Sequence, residues 1–412
     1  MTAQVRRREK GHTLVHRVTV VGAGIVGLSC AWFLQERGVE VTVLERDAVC
    51  SGSSWGNAGW LAPALTVPLP EPSVLRYGLR AMLDPKSPLY VPPRLDPNLW
   101  SFLLRFAAHC TETRWARGMA KYRDYNREAF DAYDQLVAAG IGETRTAPIM
   151  AGFSSPKKAA ALLDELRLVA GSGQPVDIDL LTADEAREAQ PLFGENVAMA
   201  VRLKNTRFIF PAQFVARLAD AVRERGGVIR EKAPVREVRG TGKGAVAVLT
   251  DGDRVESDDV VLANGAWLSQ LARAHGVKTI VRAGRGYSFT VATEQPPTTP
   301  VYLPEARVAC TPTHDGRLRV AGMMEFRRPD DPLDPRRINA IVESTRRLLR
   351  GIDWSERRDE WVGSRPVTPN GLPLIGQTRT PHVYVAGGHG MWGITLGPLT
   401  GRTIADQICS AR

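Results

Sequence analysis

The hydrophobic pattern at the start of the chain predicts a strand, a helix and a second strand. Residues 17–22 (RVTVVG) are apolar and rich in β-branched side chains, which is typical of a buried strand. Residues 25–38 are predicted to form a helix ending at Gly38, and residues 40–45 (EVTVLE) a second buried strand. These elements together indicate a βαβ unit of about 30 residues.

The rest of the chain alternates between helical and strand-like patterns. Residues 61–100, rich in proline and leucine, are interpreted as an ordered excursion without regular periodicity. Helices are predicted at 98–140, 157–172, 183–188, 211–226, 336–350 and 395–408. Strands are predicted at 228–231, 234–239, 245–250, 259–263, within 280–325 and at 383–386. Because strands followed by glycines return near residues 260 and 385, we expect a nucleotide-binding domain interrupted by a second domain.

Length and composition suit a globular protein of two domains. The 412 residues are 43% hydrophobic and 24% charged, and this length exceeds one ordinary core. The five cysteines are scattered and odd in number, which favours reduced thiols over a disulfide framework or a zinc site. The seven histidines lack metal-ligand spacing, so we expect no metal.

The net charge of +10 leaves contact with an anionic surface open. Arg6, Arg7 and Arg8 precede an uncharged run, residues 18–34, that imitates a secretory leader. Because that run carries glycines at a phosphate-binding spacing, we interpret it as part of the mature domain. No motif typical of nucleic-acid binding is found. We therefore predict a cytoplasmic protein, with peripheral contact at the inner membrane face as an open alternative.

A glycine-rich turn, Gly22-Ala-Gly24-Ile-Val-Gly27, joins the first strand to the helix. In this spacing Gly22 permits a tight turn, Gly24 lets backbone approach a pyrophosphate, and Gly27 lets the helix pack on the sheet. Glu45 ends the next strand, where a carboxylate can accept hydrogen bonds from ribose hydroxyls. Since a carboxylate repels a 2′-phosphate, the turn predicts NAD or FAD and disfavours NADP.

A run of small residues, 51–59 (SGSSWGNAG), follows almost at once. It is too rich in glycine for a helix or a strand. Such a loop can wrap a phosphate or let a flat ring system lie on backbone, and an NAD enzyme has no obvious need for it. The loop therefore favours FAD over NAD, with an ordinary surface loop as the alternative. Residues 261–267 (VLANGAW) offer a second backbone approach to a cofactor.

Two motifs near the C-terminus carry candidate chemistry. Residues 363–366 (GSRP) hold Arg365 in a rigid backbone, where its fork can grip a carboxylate; a surface salt bridge is the alternative. Residues 387–393 (GGHGMWG) open the last helix and offer N–H groups to negative charge. His389 within that motif is more often structural than catalytic. Tyr287 is equally open between a pocket residue and a core tyrosine.

Taken together, these motifs resemble the FAD-dependent amine and amino-acid oxidoreductases of the D-amino-acid oxidase family, especially bacterial D-amino-acid dehydrogenases. The matching patterns are SG(S/T)S-x-GNAG, the Pro/Leu stretch around residues 87–90, RP-TP-(D/N)GLP-IG at 365–376 and the C-terminal GHG…G…L-P-TG. Their order and spacing fit from residue 17 onward. Glycine oxidase and sarcosine oxidase share the first turn and the last two motifs more loosely.

The resemblance implies an α/β fold (α+β overall) with a discontinuous, Rossmann-like FAD-binding domain at residues 1–85, 190–275 and 355–412. Residues 86–189 and 276–354 then form a smaller substrate-binding domain with an antiparallel sheet. It implies that Arg365 binds a substrate carboxylate, and Tyr287 and His389 complete the candidate catalytic set. The residues implied to contact FAD are Gly22, Gly24, Gly27, Glu45, Arg46, Ser53, Asn57, Ala58, Gly59, Val235, Gly390, Gly393, Ile394 and Thr395.

Two departures from the relatives carry weight. Met391 and Trp392 stand where glycine oxidase has a second arginine, which indicates an apolar wall. No cysteine has the context used for covalent flavin attachment in sarcosine oxidases, so we expect non-covalent FAD.

We therefore predict oxidative deamination of a D-α-amino acid, D-proline-like substrates included, by hydride transfer to flavin N5, giving an imine or 2-oxo acid. A quinone, a dye or O2 would accept the electrons. The alternatives are a glycine- or sarcosine-type amine oxidase, a flavin subunit of a multi-component amine dehydrogenase, and an NAD-binding interaction protein.

Overall fold

The βαβ unit predicted at the start of the chain is formed. A computed structural model describes residues 15–74, 84–92 and 95–411, so the basic residues 6–8 lie outside the described part. The unit consists of β1 (Arg17–Val21), α1 (Ile25–Gln35) and β2 (Glu40–Leu44). β1 pairs in parallel with β2, in agreement with the sequence pattern.

Strands from the beginning, middle and end of the chain share one six-stranded sheet. Its order is β10-β2-β1-β14-β21-β20, with β10 at Val228–Arg230, β14 at Asp259–Leu262, β20 at Leu374–Gln377 and β21 at Val383–Gly387. Parallel strands deliver their carboxyl ends to one edge, where open α/β sheets bind ligands. The discontinuous, Rossmann-like sheet that the sequence predicted is therefore confirmed.

The remaining elements build the second domain and the connections. The helices are α2 (Pro97–His109), α3 (Glu112–Ala138), α4 (Pro156–Gly171), α5 (Ala183–Ala189), α6 (Pro211–Glu224), α7 (Leu268–Ala272), α8 (Pro335–Thr345) and α9 (Gly393–Ser410). The strands are β3 (Trp60–Leu61), β4 (Leu89–Tyr90), β5 (Arg145–Thr146), β6 (Ile149–Phe153), β7 (Ile178–Thr182), β8 (Met199–Leu203), β9 (Arg207–Phe208), β11 (Val235–Thr241), β12 (Gly244–Leu249), β13 (Arg254–Ser257), β15 (Arg282–Thr293), β16 (Val301–Leu303), β17 (Val308–Pro312), β18 (Leu318–Phe326) and β19 (Ile352–Val367).

The second large sheet is mostly antiparallel and has nine strands. Its order is β19-β15-β18-β17-β16-β6-β8-β7, with β4 beside β18. One face buries an apolar core that includes Phe289 from β15 and Ile341 from α8. The other face meets the 51–59 loop, since Ser288 donates a hydrogen bond to the carbonyl of Gly56. The antiparallel substrate-domain sheet expected from the sequence is thus present.

The structure departs from the predicted boundaries in two places. The predicted helix at 98–140 is two helices, because Cys110 leaves helical geometry and the Thr111 side chain caps α3 by accepting from the N–H of Arg114. β8 and β19 both pair within the nine-stranded sheet, although the predicted boundaries at 190 and 355 put them in the FAD-binding domain. Strand pairing across long sequence separations is the information that periodicity lacks.

In the described ranges, no helix combines the length and the apolar character that crossing a bilayer requires.

Candidate functional site: a dinucleotide site facing an arginine

The turn after β1 needs glycine at two positions for steric reasons. Gly22 has φ of +110°, and a Cβ there would lie 2.6 Å from the carbonyl oxygen of Ala263. A Cβ on Gly27 would collide with the carbonyl oxygen of Gly22. α1 begins after Gly24 without a cap from that residue, and Ser54 Oγ accepts from the N–H of Ile25 at 3.2 Å. The turn therefore presents backbone N–H groups at a helix N-terminus, a favourable place for a diphosphate.

Glu45 stands beside this turn at the end of β2. Its Oε2 accepts from the N–H of Ala23 at 2.8 Å, and its Oε1 accepts from the N–H of Asp47 at 3.0 Å. The carbonyl of Glu45 accepts from Ala233, two residues before Val235 at the start of β11. These contacts fix the carboxylate at the sheet edge, and its ribose-binding role stays a prediction.

The side chain of Arg46 contacts Trp267 and Asp330. Its guanidinium stacks 3.6 Å from the ring centroid of Trp267 and forms an ion pair with Asp330 at 3.0 Å. Trp267 Nε1 donates to the same carboxylate at 3.1 Å. Arg46 thus closes one end of the nucleotide edge with an aromatic and ionic contact.

The 51–59 loop joins the two large sheets. Ser53 Oγ donates to the carbonyl of Ser364 at 2.8 Å, and the carbonyl of Ala58 accepts from Thr311 Oγ1 at 2.6 Å. Asn57 Oδ1 accepts from the N–H of Gly59, whose φ is +78°. A side chain on Gly59 would strike the carbonyl of Ile209, so the small residue is required there.

A buried acceptor within the 261–267 motif, whose backbone alone the sequence analysis considered, lies next to Gly22. Asn264 follows β14, and its Oδ1 is buried without a partner among the residues that the structure describes. Its Cα lies 3.2 Å from the place a Gly22 Cβ would take. An unsatisfied buried acceptor costs free energy unless something donates to it. Asn264 therefore adds a polar group that a nucleotide can satisfy at this edge.

The N-terminus of α9 offers a second set of free N–H groups. No side chain caps it, and the N–H groups of Gly393, Ile394 and Thr395 have no partner within the helix. The carbonyl of Ile394 accepts from Tyr133 Oη at 2.7 Å, and Thr395 Oγ1 donates to the carbonyl of Trp60 at 3.1 Å. The positive end of this helix is thus held rigidly, ready to stabilise negative charge.

Arg365 lies on β19 directly beside this helix start. Its neighbour Pro366 accepts from the N–H of Gly390 at 2.8 Å. The guanidinium crosses Gly286, where a Cβ would collide with it, and Nη1 donates to the carbonyl of Met323 at 2.7 Å. Burial lowers the pKa of Arg365 to about 10. Within the described ranges no carboxylate pairs with it, so most of its donors remain for an anion.

A buried arginine, Arg319, was not predicted. It is 9% exposed, and its Nη2 donates to Ser288 Oγ at 2.8 Å while its guanidinium lies 4.8 Å from the ring centroid of Trp55. Burial lowers the pKa of Arg319 to about 10. Because its neighbours Leu318 and Val320 form an ordinary strand pattern, nothing local in the sequence signals its position beside the 51–59 loop.

The structure does not bring Tyr287 to Arg365, and the expected catalytic role is not retained. Gly286 meets Arg365, whereas its neighbour Tyr287 is 0% exposed and belongs to the core on the other face of the sheet. Its hydroxyl donates to Glu325 Oε1 at 2.5 Å. Glu325 also pairs with Arg285 at 3.3 Å and Arg327 at 3.2 Å. Tyr287 is therefore part of a buried ion network.

His389 is likewise turned into the core. It is 1% exposed, and its Nε2 lies 2.8 Å from Thr400 Oγ1 of α9. Burial lowers the pKa of His389 to about 4, so the ring is neutral at neutral pH. A neutral ring held against the last helix has a structural role, and the catalytic expectation for His389 is not retained.

The arrangement suits a long dinucleotide. The first turn and Glu45 would hold the diphosphate and the ribose, and the small residues of the 51–59 loop leave room for a chain across the sheet edge. The free N–H groups of α9 would face an electron-rich ring at the other end. Fold and site together define a dinucleotide-dependent oxidoreductase.

Comparison with known proteins agrees. The family model described as "FAD dependent oxidoreductase" (DAO) matches residues 17–407, and the chain belongs to this family, whose cofactor is FAD. The fold is similar to that of glycine oxidase from Geobacillus kaustophilus, with a TM-score of 0.72, 22% identity, and coverage of 96% of this chain and 95% of that one.

Two further solved structures share the fold. L-Proline dehydrogenase from P. horikoshii has a TM-score of 0.69 at 17% identity, covering 97% of this chain and 94% of that one. L-α-Glycerophosphate oxidase from Mycoplasma pneumoniae, a structure with FAD bound, has a TM-score of 0.73 at 16% identity, covering 96% and 95%.

Proposed function

We propose that this chain catalyses the FAD-dependent oxidation of a small D-α-amino acid at its Cα–N bond. The observation that carries the proposal is Arg365, a partly buried residue whose guanidinium donates to one carbonyl and has no described carboxylate partner. An arginine in this state has lost part of its hydration without gaining an anion, and a substrate carboxylate supplies one in bidentate geometry.

The surroundings of Arg365 support its use in substrate binding. Ser364 is hydrogen-bonded to Ser53 of the cofactor loop, and Pro366 is hydrogen-bonded to Gly390 ahead of α9. Arg365 therefore lies between two residues that are each hydrogen-bonded to a segment proposed to bind FAD. A carboxylate held by Arg365 would be fixed in position relative to both segments. Such rigid anchoring is how a binding residue contributes to orientation and rate.

The reaction asks little acid–base chemistry of the protein. When bound, FAD supplies a two-electron acceptor for the hydride lost from Cα. The amine loses a proton as the imine forms, and water then converts the imine to a 2-oxo acid and ammonia. Arg365 holds the carboxylate, while the N-terminal N–H groups of α9 favour negative charge on their side of the site. A quinone, a dye or O2 finally takes the electrons.

The choice of a D-amino acid rests on the sequence motifs, and a turnover screen tests it. Purified protein would be assayed with D- and L-amino acids, proline of both hands, glycine and sarcosine, with a redox dye and separately with O2. We expect turnover of D forms, D-proline-like compounds included, with the dye. Turnover of L forms alone would reject the stereochemistry, and preference for glycine or sarcosine would favour the amine-oxidase alternative. Activity only with a partner protein would indicate a flavin subunit.

A further inference from the structure

A cavity of 340 Å³ lies apart from the dinucleotide site. It opens between α3, the 3-10 turn Pro63–Leu65, the segment that follows α4 and the turn that follows β8. Neither Arg365 nor the start of α9 belongs to its lining. Its volume suits a small organic molecule.

The α3 wall of this cavity is cationic. Arg123 and Arg127 share one carboxylate, Asp124, at 3.5 and 3.8 Å, so one positive charge is left in excess. Arg123 Nε is buried and has no partner in the part of the chain that the structure describes. A ligand with an anionic oxygen acceptor would satisfy both observations.

The neighbouring wall offers acceptors. Asn126 is 4% exposed, and its Nδ2 donates to the carbonyls of Pro63 at 3.1 Å and Thr66 at 3.0 Å. Its Oδ1 is buried without a partner among the described residues. Asp177 also lines the cavity; its Oδ1 is paired with Lys204 of the same lining at 3.1 Å and its Oδ2 accepts from Asn205 at 3.4 Å, so the unused acceptor of this wall is Asn126 Oδ1. This wall can accept from an ammonium group.

The unused donor, Arg123 Nε, and the unused acceptor, Asn126 Oδ1, favour a ligand that carries both a negative and a positive group. We propose that this cavity binds a small α-amino acid as a zwitterion. Its carboxylate lies on Arg123 and Arg127, its ammonium donates to Asn126 Oδ1 and Asp177, and its side chain packs on Phe130. Asn126 also holds the 63–66 turn, which follows the strand of Trp60, so the ligand contacts the segment that leads to the FAD site.

The test uses 2-aminoisobutyrate, an amino acid without a hydrogen on Cα, which the enzyme cannot oxidise. The Arg365→Ala holoenzyme is the baseline, because it removes the proposed anchor of the active site. Calorimetry should show one bound 2-aminoisobutyrate per chain in that baseline. Adding Arg127→Gln should weaken binding roughly tenfold, the loss of one charge-assisted contact. Arg127 is exposed, so this change leaves folding intact.

Arg117→Gln is the matched control, since Arg117 is an exposed arginine on the same helix and lies outside the cavity. It should leave binding unchanged. Isobutyrate, which lacks the ammonium, and isopropylamine, which lacks the carboxylate, should each bind at least tenfold more weakly. The proposal is overturned by absence of binding to the Arg365→Ala protein, by equal binding after Arg127→Gln, or by isobutyrate binding as tightly as 2-aminoisobutyrate. No outcome depends on which substrate is oxidised.

Discussion

At Arg365 the balance between burial and pairing predicts the effect of mutation. Arg365→Ala removes a charge-assisted contact worth about 2–3 kcal/mol, so kcat/KM for amino acids should fall roughly 30- to 150-fold. FAD content should stay nearly unchanged, because the guanidinium contacts Met323 and Gly286 and not the first turn. Arg365→Lys should recover only part, since a point charge cannot replace the fork.

The decisive measurement is the ratio of turnover of a carboxylated substrate to turnover of the matching amine without a carboxylate. In the alanine variant that ratio should fall with kcat/KM. An equal loss for both substrates, or loss of flavin, would show that Arg365 serves the structure and that the carboxylate is held elsewhere.

The buried, neutral His389 predicts that the free energy of unfolding decreases as the pH falls. Its pKa is lowered by burial to about 4, below the usual 6.5, so the unfolded chain binds a proton that the native chain does not. Its stabilising contribution is complete above pH 6.5 and is lost as pH falls toward 4, by up to about 3 kcal/mol. His389→Gln should flatten part of the decline in urea midpoint between pH 7 and pH 5. An unchanged decline would assign it to other groups.

Individual residues were predictable where their reason is local. Gly22 and Gly27 follow from the steric needs of one turn, which the spacing of the motif encodes. Arg319 becomes recognisable only when distant strands are aligned. The 261–267 motif contains Asn264, but the sequence does not show that its Oδ1 is buried without a partner among the described residues. Tyr287 failed as a catalytic candidate because residue type shows which chemistry is available, and not which face of the strand carries it.

At the scale of secondary-structure elements, β15 and β18 are connected by hydrogen bonds and ion pairs around Glu325. Tyr287, Arg285 and Arg327 all contact this carboxylate, which is 0% exposed. Glu325→Gln leaves buried arginines uncompensated and should lower the free energy of unfolding by about 3–5 kcal/mol. Tyr287→Phe removes one hydrogen bond while the ion pairs remain, and should cost about 1–2 kcal/mol.

Urea unfolding of both variants checks that order. If Glu325→Gln is as stable as the wild type, the network does not hold the strands together. Loss of turnover in Tyr287→Phe at unchanged stability would restore a catalytic role for the tyrosine.

The positions of helices and strands were predicted better than the pairing of the strands. Most helix positions agree with the periodicity, because an amphipathic helix is encoded within one segment. The assignment of β8 and β19 to the nine-stranded sheet depends on pairing with strands far away in the chain, for example β15 with β19. Pairing of this kind cannot be obtained from the periodicity of one segment, so the division into two domains stays a prediction.

Over the whole molecule, the cofactor segments come from distant parts of the chain and are joined by the 51–59 loop. That loop is hydrogen-bonded to β17 through Thr311 and to β19 through Ser364, both in the nine-stranded sheet, and through Ser54 to the start of α1, which follows β1 of the six-stranded sheet. FAD binding should therefore stabilise both large sheets together. A ligand at 100 times its dissociation constant adds about 2.7 kcal/mol to the native state, so FAD should raise the melting temperature of the apoprotein in one transition. A scan in which only one of two transitions moves would contradict this coupling.

The attachment of the flavin follows from the state of the cysteines. Covalent attachment through cysteine requires a thiolate, yet burial raises the pKa of Cys50, the cysteine beside the 51–59 loop, to about 12. Cys30 in α1 is buried too, with its pKa raised to about 12. Acid precipitation of the purified protein should therefore release one FAD per chain into the supernatant, measured by its absorbance. A yellow pellet over a colourless supernatant would show a covalent bond, because acid unfolds the chain and a non-covalent flavin then loses every contact that holds it.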